Sequence, residues 1–189
     1  MIEQLFSMQD KVCLITGGSR GLGYFMARGF FAAGAKRIYI TARSAGACET
    51  AAKELSEFGE CIALPGDISN MDELDQLVKI LSEREDSLDV LVNNAGVGWM
   101  APMGAFPEKG WDKVMDLNVK TPFFLTQALL PLLKKNARAD NNAVVINVGS
   151  IAGICGETDT YSYAPSKAAI HQLTRNMAVA LADDHIRVN

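Results

Sequence analysis

The 189-residue chain predicts an α/β fold: a parallel sheet, doubly wound, with helices on both faces. Three observations carry this expectation. Short apolar or β-branched runs alternate with longer segments of helical period along the whole length. The strand-like runs are nearly continuous in apolar residues rather than alternating, as suits strands covered on both faces. A glycine-rich turn sits where the first strand gives way to the first helix.

Taken in order, KVCLIT (11–16) is the first strand and a helix follows over 21–33. Gly29 inside that helix is a misfit of about 1 kcal/mol relative to alanine, which we read as close packing. RIYIT (37–41) is a strand and 45–58 a helix; CIALP (61–65) and 70–85 repeat the pair. LDVLVNN (88–94) precedes a helix over 111–136, AVVINVG (143–149) precedes one over 162–183, and a sixth strand begins at IRVN (186–189). With no internal repeat and no linker, residues 1–189 are expected to form a single domain whose crossovers are right-handed.

Composition narrows the function. Hydrophobic residues make up 49% of the chain and the net charge is −4 with no basic cluster, which argues against nucleic acid, since neutralising phosphates needs grouped Lys and Arg. GYFMARGFFAAGA and TPFFLTQALLPLL fall short of a membrane span. The N-terminus carries Glu3 and Asp10 and does not read as a secretory signal, so a soluble, cytoplasmic protein without a membrane partner is expected. Cys13, Cys48, Cys61 and Cys155 lack CxxC spacing and read as buried free thiols; no metal site is expected. His171 and His185 are assigned ordinary structural roles.

The turn TGGSRGLG, Thr16 to Gly23, opens the first helix. Glycines at 17, 21 and 23 let the backbone approach a pyrophosphate whose charge meets free N–H groups at the helix start, the arrangement of a dinucleotide site. An NAD site places an Asp or Glu some 20 residues on, to hold the ribose hydroxyls, yet no acidic residue lies between Asp10 and Glu49. Arg20 and Arg43 stand instead where two guanidinium groups can meet a 2′-phosphate. NADP(H) is the expected cofactor.

Near the other end, YSYAPSK places Tyr163 four residues before Lys167, so phenol and ammonium share one face of a helix. A free phenol ionises only near pH ~10, and a neighbouring positive charge favours its ionised form. Pro165 is tolerated in a first helical turn. Ser150 falls at the carboxyl end of a strand, where an open α/β sheet presents its ligands. Tyr161 has Pro165 rather than a lysine at i+4 and is read as a pocket or surface residue.

In order and spacing, TGGSRGLG, GD at 66–67, NNAG at 93–96, LNV at 117–119, VGS at 148–150 and YAPSK at 163–167 resemble the short-chain dehydrogenase/reductase family over nearly the whole chain. Within it the sequence looks most like the NADPH-dependent β-ketoacyl reductases. The resemblance implies a Rossmann fold and a catalytic tetrad of Ser150, Tyr163, Lys167 and Asn118, the last assigned chiefly on this ground. It further implies cofactor contacts at Gly17, Ser19, Arg20, Gly21, Leu22, Gly23, Arg43, Asp67, Ile68, Asn93, Ala95, Gly96, Tyr163 and Lys167. The implied reaction is NADP(H)-linked interconversion of a ketone and a secondary alcohol.

Trp99, Met100, Met103 and Phe106 after NNAG, with Ile151 and Ile154 after Ser150, suit an apolar acyl substrate; a polyol or sugar-acid substrate is the alternative. Members of the family continue past the position of Asn189 with a Pro-Gly turn, a lid and a last strand, so the fold is expected to be C-terminally incomplete, and a cofactor-binding module without turnover is a second alternative. The resemblance implies that the apolar helices at 111–136 and 162–183 pair across a two-fold axis into a homodimer, or into a tetramer if a longer C-terminus exists.

Overall fold

The computed structural model describes residues 6–189. Strand β1 (Val12–Thr16) is buried at every position because its side chains alternate between two cores. Val12 and Leu14 join Leu74, Leu91 and Leu125 on one face; Cys13 and Ile15 join Ala27, Phe31 and Leu55 on the other. Around it lie β2 (Arg37–Thr41), β3 (Glu60–Ala63), β4 (Val90–Asn93), β5 (Ala143–Asn147) and β6 (Ile186–Val188), in the order β3-β2-β1-β4-β5-β6. All five pairings are parallel.

Parallel neighbours require crossovers, which here are helical. Helices α1 (Gly21–Ala32) and α2 (Ala45–Leu55) pack on the Cys13 side. On the Leu14 side lie α3 (Met71–Arg84), α5 (Thr121–Lys135) and α6 (Tyr163–Ala180), with α4 (Glu108–Met115) leading into α5. After β3 the chain returns to place β4 on the free edge of β1. That reversal opens a crevice above the carboxyl ends of β1 and β4, the ligand-binding position of open α/β sheets. Among the described residues no helix is long and apolar enough to cross a membrane.

The expected helix over 111–136 starts earlier, at Glu108, and is broken by a π turn over Asp116–Lys120. Pro122 has no N–H to give the carbonyl of Asn118 four residues back. The ladder shifts there, and the Thr121 N–H reaches Asp116 O, five residues away. Short 3₁₀ turns at Met103–Ala105 and Ile151–Gly153 carry no periodic signal and were not anticipated. Strand β5 departs from two-sided cover, with Val144 and Ile146 only half-buried. Cys13 and Cys48 are buried as expected, but Cys61 is half-buried and Cys155 exposed; burial still pushes the Cys61 thiol up to about 12.

Gly29 corrects another expectation. It lies on the exposed side of α1, and a Cβ built there meets nothing within 4 Å, so close packing does not explain it. The backbone entropy of a helical glycine therefore goes uncompensated. Gly29→Ala should stabilise the protein by about 0.5–1 kcal/mol, raising Tm in a thermal melt by roughly 1–4 °C. A lower Tm would show that the exposed face of α1 is covered in solution.

Candidate active site

The crevice begins at the glycine turn. Gly17 and Gly21 take positive φ values of 66° and 58°, bending the chain from β1 into α1. Gly23 is needed for a different reason: a Cβ there would lie 2.4 Å from Gly17 O and 2.7 Å from Asn94 Nδ2. No side chain caps α1, and no acidic residue sits in its first turn, leaving its N-terminal N–H groups facing the cleft free for an anion.

Thr16 ties this turn to the loop after β4. Its hydroxyl donates to Val92 O (3.2 Å) and accepts from the N–H groups of Asn94 (3.0 Å) and Ala95 (2.9 Å). Asn94 Nδ2 completes the tie by donating to Thr16 O (2.8 Å) and Gly17 O (3.2 Å). The resulting cleft, about 800 Å³, is lined by Gly17, Ser19, Arg20, Gly21, Thr41, Arg43, Ser44, Asp67, Ile68, Asn94, Ala95 and Gly96, among others. A dinucleotide fits this lining. Arg20 and Arg43 both line it, α2 opens beside Arg43 with no acidic residue in its first turn, and the buried Thr41 hydroxyl has no partner among the described residues.

The Asn93 side chain, expected at the cofactor, does not line the cleft. Asn93, the last residue of β4, points into the Leu14-side interior, where its Nδ2 donates to Asn147 Oδ1 (2.9 Å) and contacts Thr126 Oγ1 (3.4 Å). Strand alternation sends its neighbour Asn94 to the cleft instead. Leu22 is exposed at the start of α1. Asp67 lines the cleft while its carboxylate accepts from the N–H and hydroxyl of Ser69.

The cleft ends at Gly96, which abuts two of the remaining predicted residues: a Cβ there would lie 3.4 Å from Asn118 Oδ1 and 3.8 Å from Lys167 Nζ. Asn118 occupies the π turn and is buried. Its Oδ1 accepts from Val97 N–H and its Nδ2 donates to Val97 O, both at 2.9 Å. Lys167 is only 6% exposed; its Nζ donates to Val148 O (2.6 Å) and lies 5.8 Å from the centre of the Tyr163 ring. Burial pushes the Lys167 ammonium below the ordinary lysine value. Ser150 caps the Ile151–Gly153 turn by accepting from Ala152 N–H (3.1 Å), which leaves its own proton free to donate. Gly153 lets that turn lie on α6, since a Cβ would come within 2.7 Å of the Lys167 carbonyl carbon.

Asn94, Thr16, Asn147 and Gly153 were not singled out from sequence. Asparagines closing two paired apolar strands, Asn93 and Asn147, were the available signal, because a polar side chain at such a position must find a partner. Trp99, expected in the pocket wall, packs flush on Gly110 of α4 with Lys113 Nζ 5.8 Å from its ring, anchoring the loop.

The burial of Lys167 makes a pH-dependent test. Because its folded-state pKa lies below the ~10.4 of an unfolded lysine, the unfolded chain binds more protons between the two values, and the wild type gains stability there as pH rises. Lys167→Met lacks this contribution. The Tm of wild type minus that of the variant should therefore increase from about pH 7 to about pH 10; a flat difference would mean that the ammonium is not held out of water.

Known proteins can be set beside this geometry. The family model described as short chain dehydrogenase matches residues 11–189. The chain is 48% identical over 185 residues to the rhamnolipids biosynthesis 3-oxoacyl-[acyl-carrier-protein] reductase of Pseudomonas aeruginosa, covering 97% of this chain and 72% of that one. It is 36% identical to the galactitol 2-dehydrogenase of Agrobacterium fabrum, covering 96% and 69%. Among solved structures, the Pseudomonas aeruginosa RhlG/NADP active-site complex superposes with a TM-score of 0.93 at 48% identity, covering 97% of this chain and 72% of that one. With the family model spanning nearly the whole chain and the crevice built as described, this protein belongs to the short-chain dehydrogenase family.

Proposed function

We propose that the chain is an NADP(H)-linked carbonyl reductase acting on an apolar β-ketoacyl compound, with residues 1–189 forming one cofactor-binding domain. The observation that carries this reading is that Asn118 and Lys167 abut Gly96 at the end of a dinucleotide-sized cleft, with the Tyr163 ring beside Gly98 and 5.8 Å from Lys167 Nζ. Arg20 and Arg43 would hold the 2′-phosphate, the N–H groups of the glycine turn the pyrophosphate, and Asp67 and Ile68 the adenine end. The bound nicotinamide would supply or accept hydride at its C4.

The protein's own part is to place and polarise the carbonyl. The Ser150 hydroxyl, oriented by the Ala152 N–H, donates to the substrate oxygen. Tyr163 delivers a proton to that oxygen during reduction and takes one during oxidation. Lys167, fixed to Val148 O beside the ring, is placed to stabilise negative charge building on the phenol oxygen as its proton leaves.

An apolar substrate is favoured by the two loops leaving β4 and β5. Met100, Met103, Ile151 and Ile154 are each at least 66% exposed, and the loops are latched together by Ala101 N–H to Asp159 O (3.1 Å) and by an edge-to-face Phe106–Tyr161 contact (6.0 Å). The similarity to galactitol 2-dehydrogenase makes a polyol the competing substrate. Rates with a long β-ketoacyl thioester and with a polyol, measured side by side, decide between them.

Two variants test the reading itself. Tyr163→Phe should lower kcat by about 10²- to 10⁴-fold with NADPH affinity almost unchanged. Arg43→Asp should reverse the preference for NADPH over NADH by opposing the 2′-phosphate. An active phenylalanine variant would refute the chemistry, and a wild type that binds NADH more tightly would refute the cofactor assignment.

The same reading includes a homodimer through α4, α5 and α6, where Trp111, Phe123, Phe124 and Val179 stand exposed. A two-fold axis makes such a patch self-complementary. Light scattering at micromolar concentration should report twice the chain mass; a stable monomer would refute the interface.

A further inference from the structure

Ser166 is fully enclosed, at 0% exposure, and is not among the residues that line the cleft. Its hydroxyl nevertheless joins two members of the tetrad: it accepts from Asn118 Nδ2 (3.0 Å) and donates to the Tyr163 carbonyl (2.6 Å). The direction of this chain is forced. Asn118 must present its oxygen to the Val97 N–H and its amide nitrogen to Val97 O, so only an N–H remains for Ser166. Ser166 therefore accepts there, and its single proton goes to Tyr163 O.

The anchor matters because the first turn of α6 has no side-chain cap. Its N-cap residue, Ser162, makes no capping bond through its side chain, and the buried Ser162 hydroxyl lacks a partner among the described residues. Pro165 removes one more N–H from the same turn. The turn that carries Tyr163 is thus tied through Ser166 to the π turn and, through Asn118, to the loop at Val97.

We infer that Ser166 is a positioning residue for proton transfer, fixing Tyr163 relative to Asn118, Lys167 and Ser150 without touching substrate or cofactor. This rests on the proposed reductase reading. A directed hydrogen-bond chain in a dry site has two ends that move together, so loss of the middle hydroxyl frees the tyrosine turn and the Val97 loop at once. The catalytic effect follows from misplacement of the phenol rather than from lost binding.

The test compares wild type with Ser166→Ala and Ser166→Thr by NADPH affinity, by kcat with a ketone the wild type reduces, and by amide exchange over residues 95–99, 116–120 and 162–167. Ser166→Ala should lose roughly 10- to 100-fold in kcat while its NADPH Kd stays within about 2-fold. Exchange should quicken in all three segments together, and Ser166→Thr, which keeps the hydroxyl, should recover most of the rate. The inference is overturned if the alanine variant keeps its kcat, if kcat and NADPH affinity fall in parallel, or if threonine is as slow as alanine. A wild type that reduces no ketone would refute the reductase reading, and exchange would then decide this one: joint loosening sustains it, while loosening confined to 162–167 overturns it.

Discussion

The hydroxyl of Thr16 holds the crevice to one width. It sits at the end of β1 and reaches across to β4, donating to Val92 O and receiving the N–H groups of Asn94 and Ala95. A parallel sheet that reverses its winding direction between β1 and β4 leaves these two strand ends without a crossover above them. The backbone groups there must be satisfied by something other than the ladder, and one threonine and one asparagine satisfy several of them. Each such bond contributes on the order of 1 kcal/mol net, but leaving the buried groups unpaired would cost more, and the glycine turn would lose its fixed distance from Ala95 and Gly96.

A second polar line runs beneath the sheet. Asn93 donates to Asn147, Asn147 to Thr174 Oγ1 (2.9 Å), and Thr174 to Ile170 O (2.7 Å); Thr126, in contact with Asn93, donates to Pro122 O (2.7 Å). The line crosses β4 and β5 at a directly paired position and ends on α5 and α6. It thereby sets those helices against the strand ends from which the Asn94 and Ser150 loops depart. Every member is buried or partly buried and bonded, which is the condition for such a network to rigidify rather than destabilise.

These two lines divide the labour. The upper one shapes the cofactor end, and the lower one places the helix that carries Tyr163 and Lys167. Beside Gly96, at Asn118, the structure uses a helix irregularity. The π turn turns the Asn118 side chain into the interior, and Pro122 makes an uninterrupted α-helical ladder unavailable at that point. Lys167 pays the local price in desolvation, and its bond to Val148 O offsets part of it.

Sequence by itself determined the order and type of the elements, the glycine turn with its helix, the two arginines that line the crevice, and the Tyr163–Lys167 spacing. Those features are local: each depends on residues within a few positions, through periodicity, glycine φ freedom or i,i+4 geometry. Only the tertiary structure decided that Asn94 rather than Asn93 faces the cleft, that α4 and α5 are joined by a π turn, that Gly29 stands in the open, and that Ser166 joins Asn118 to Tyr163. The reason is separation along the chain. Asn118 and Ser166 are 48 residues apart, and Thr16 and Ala95 are 79 apart; such partners are brought together by strand register and helix packing, and no local pattern in one sequence records them.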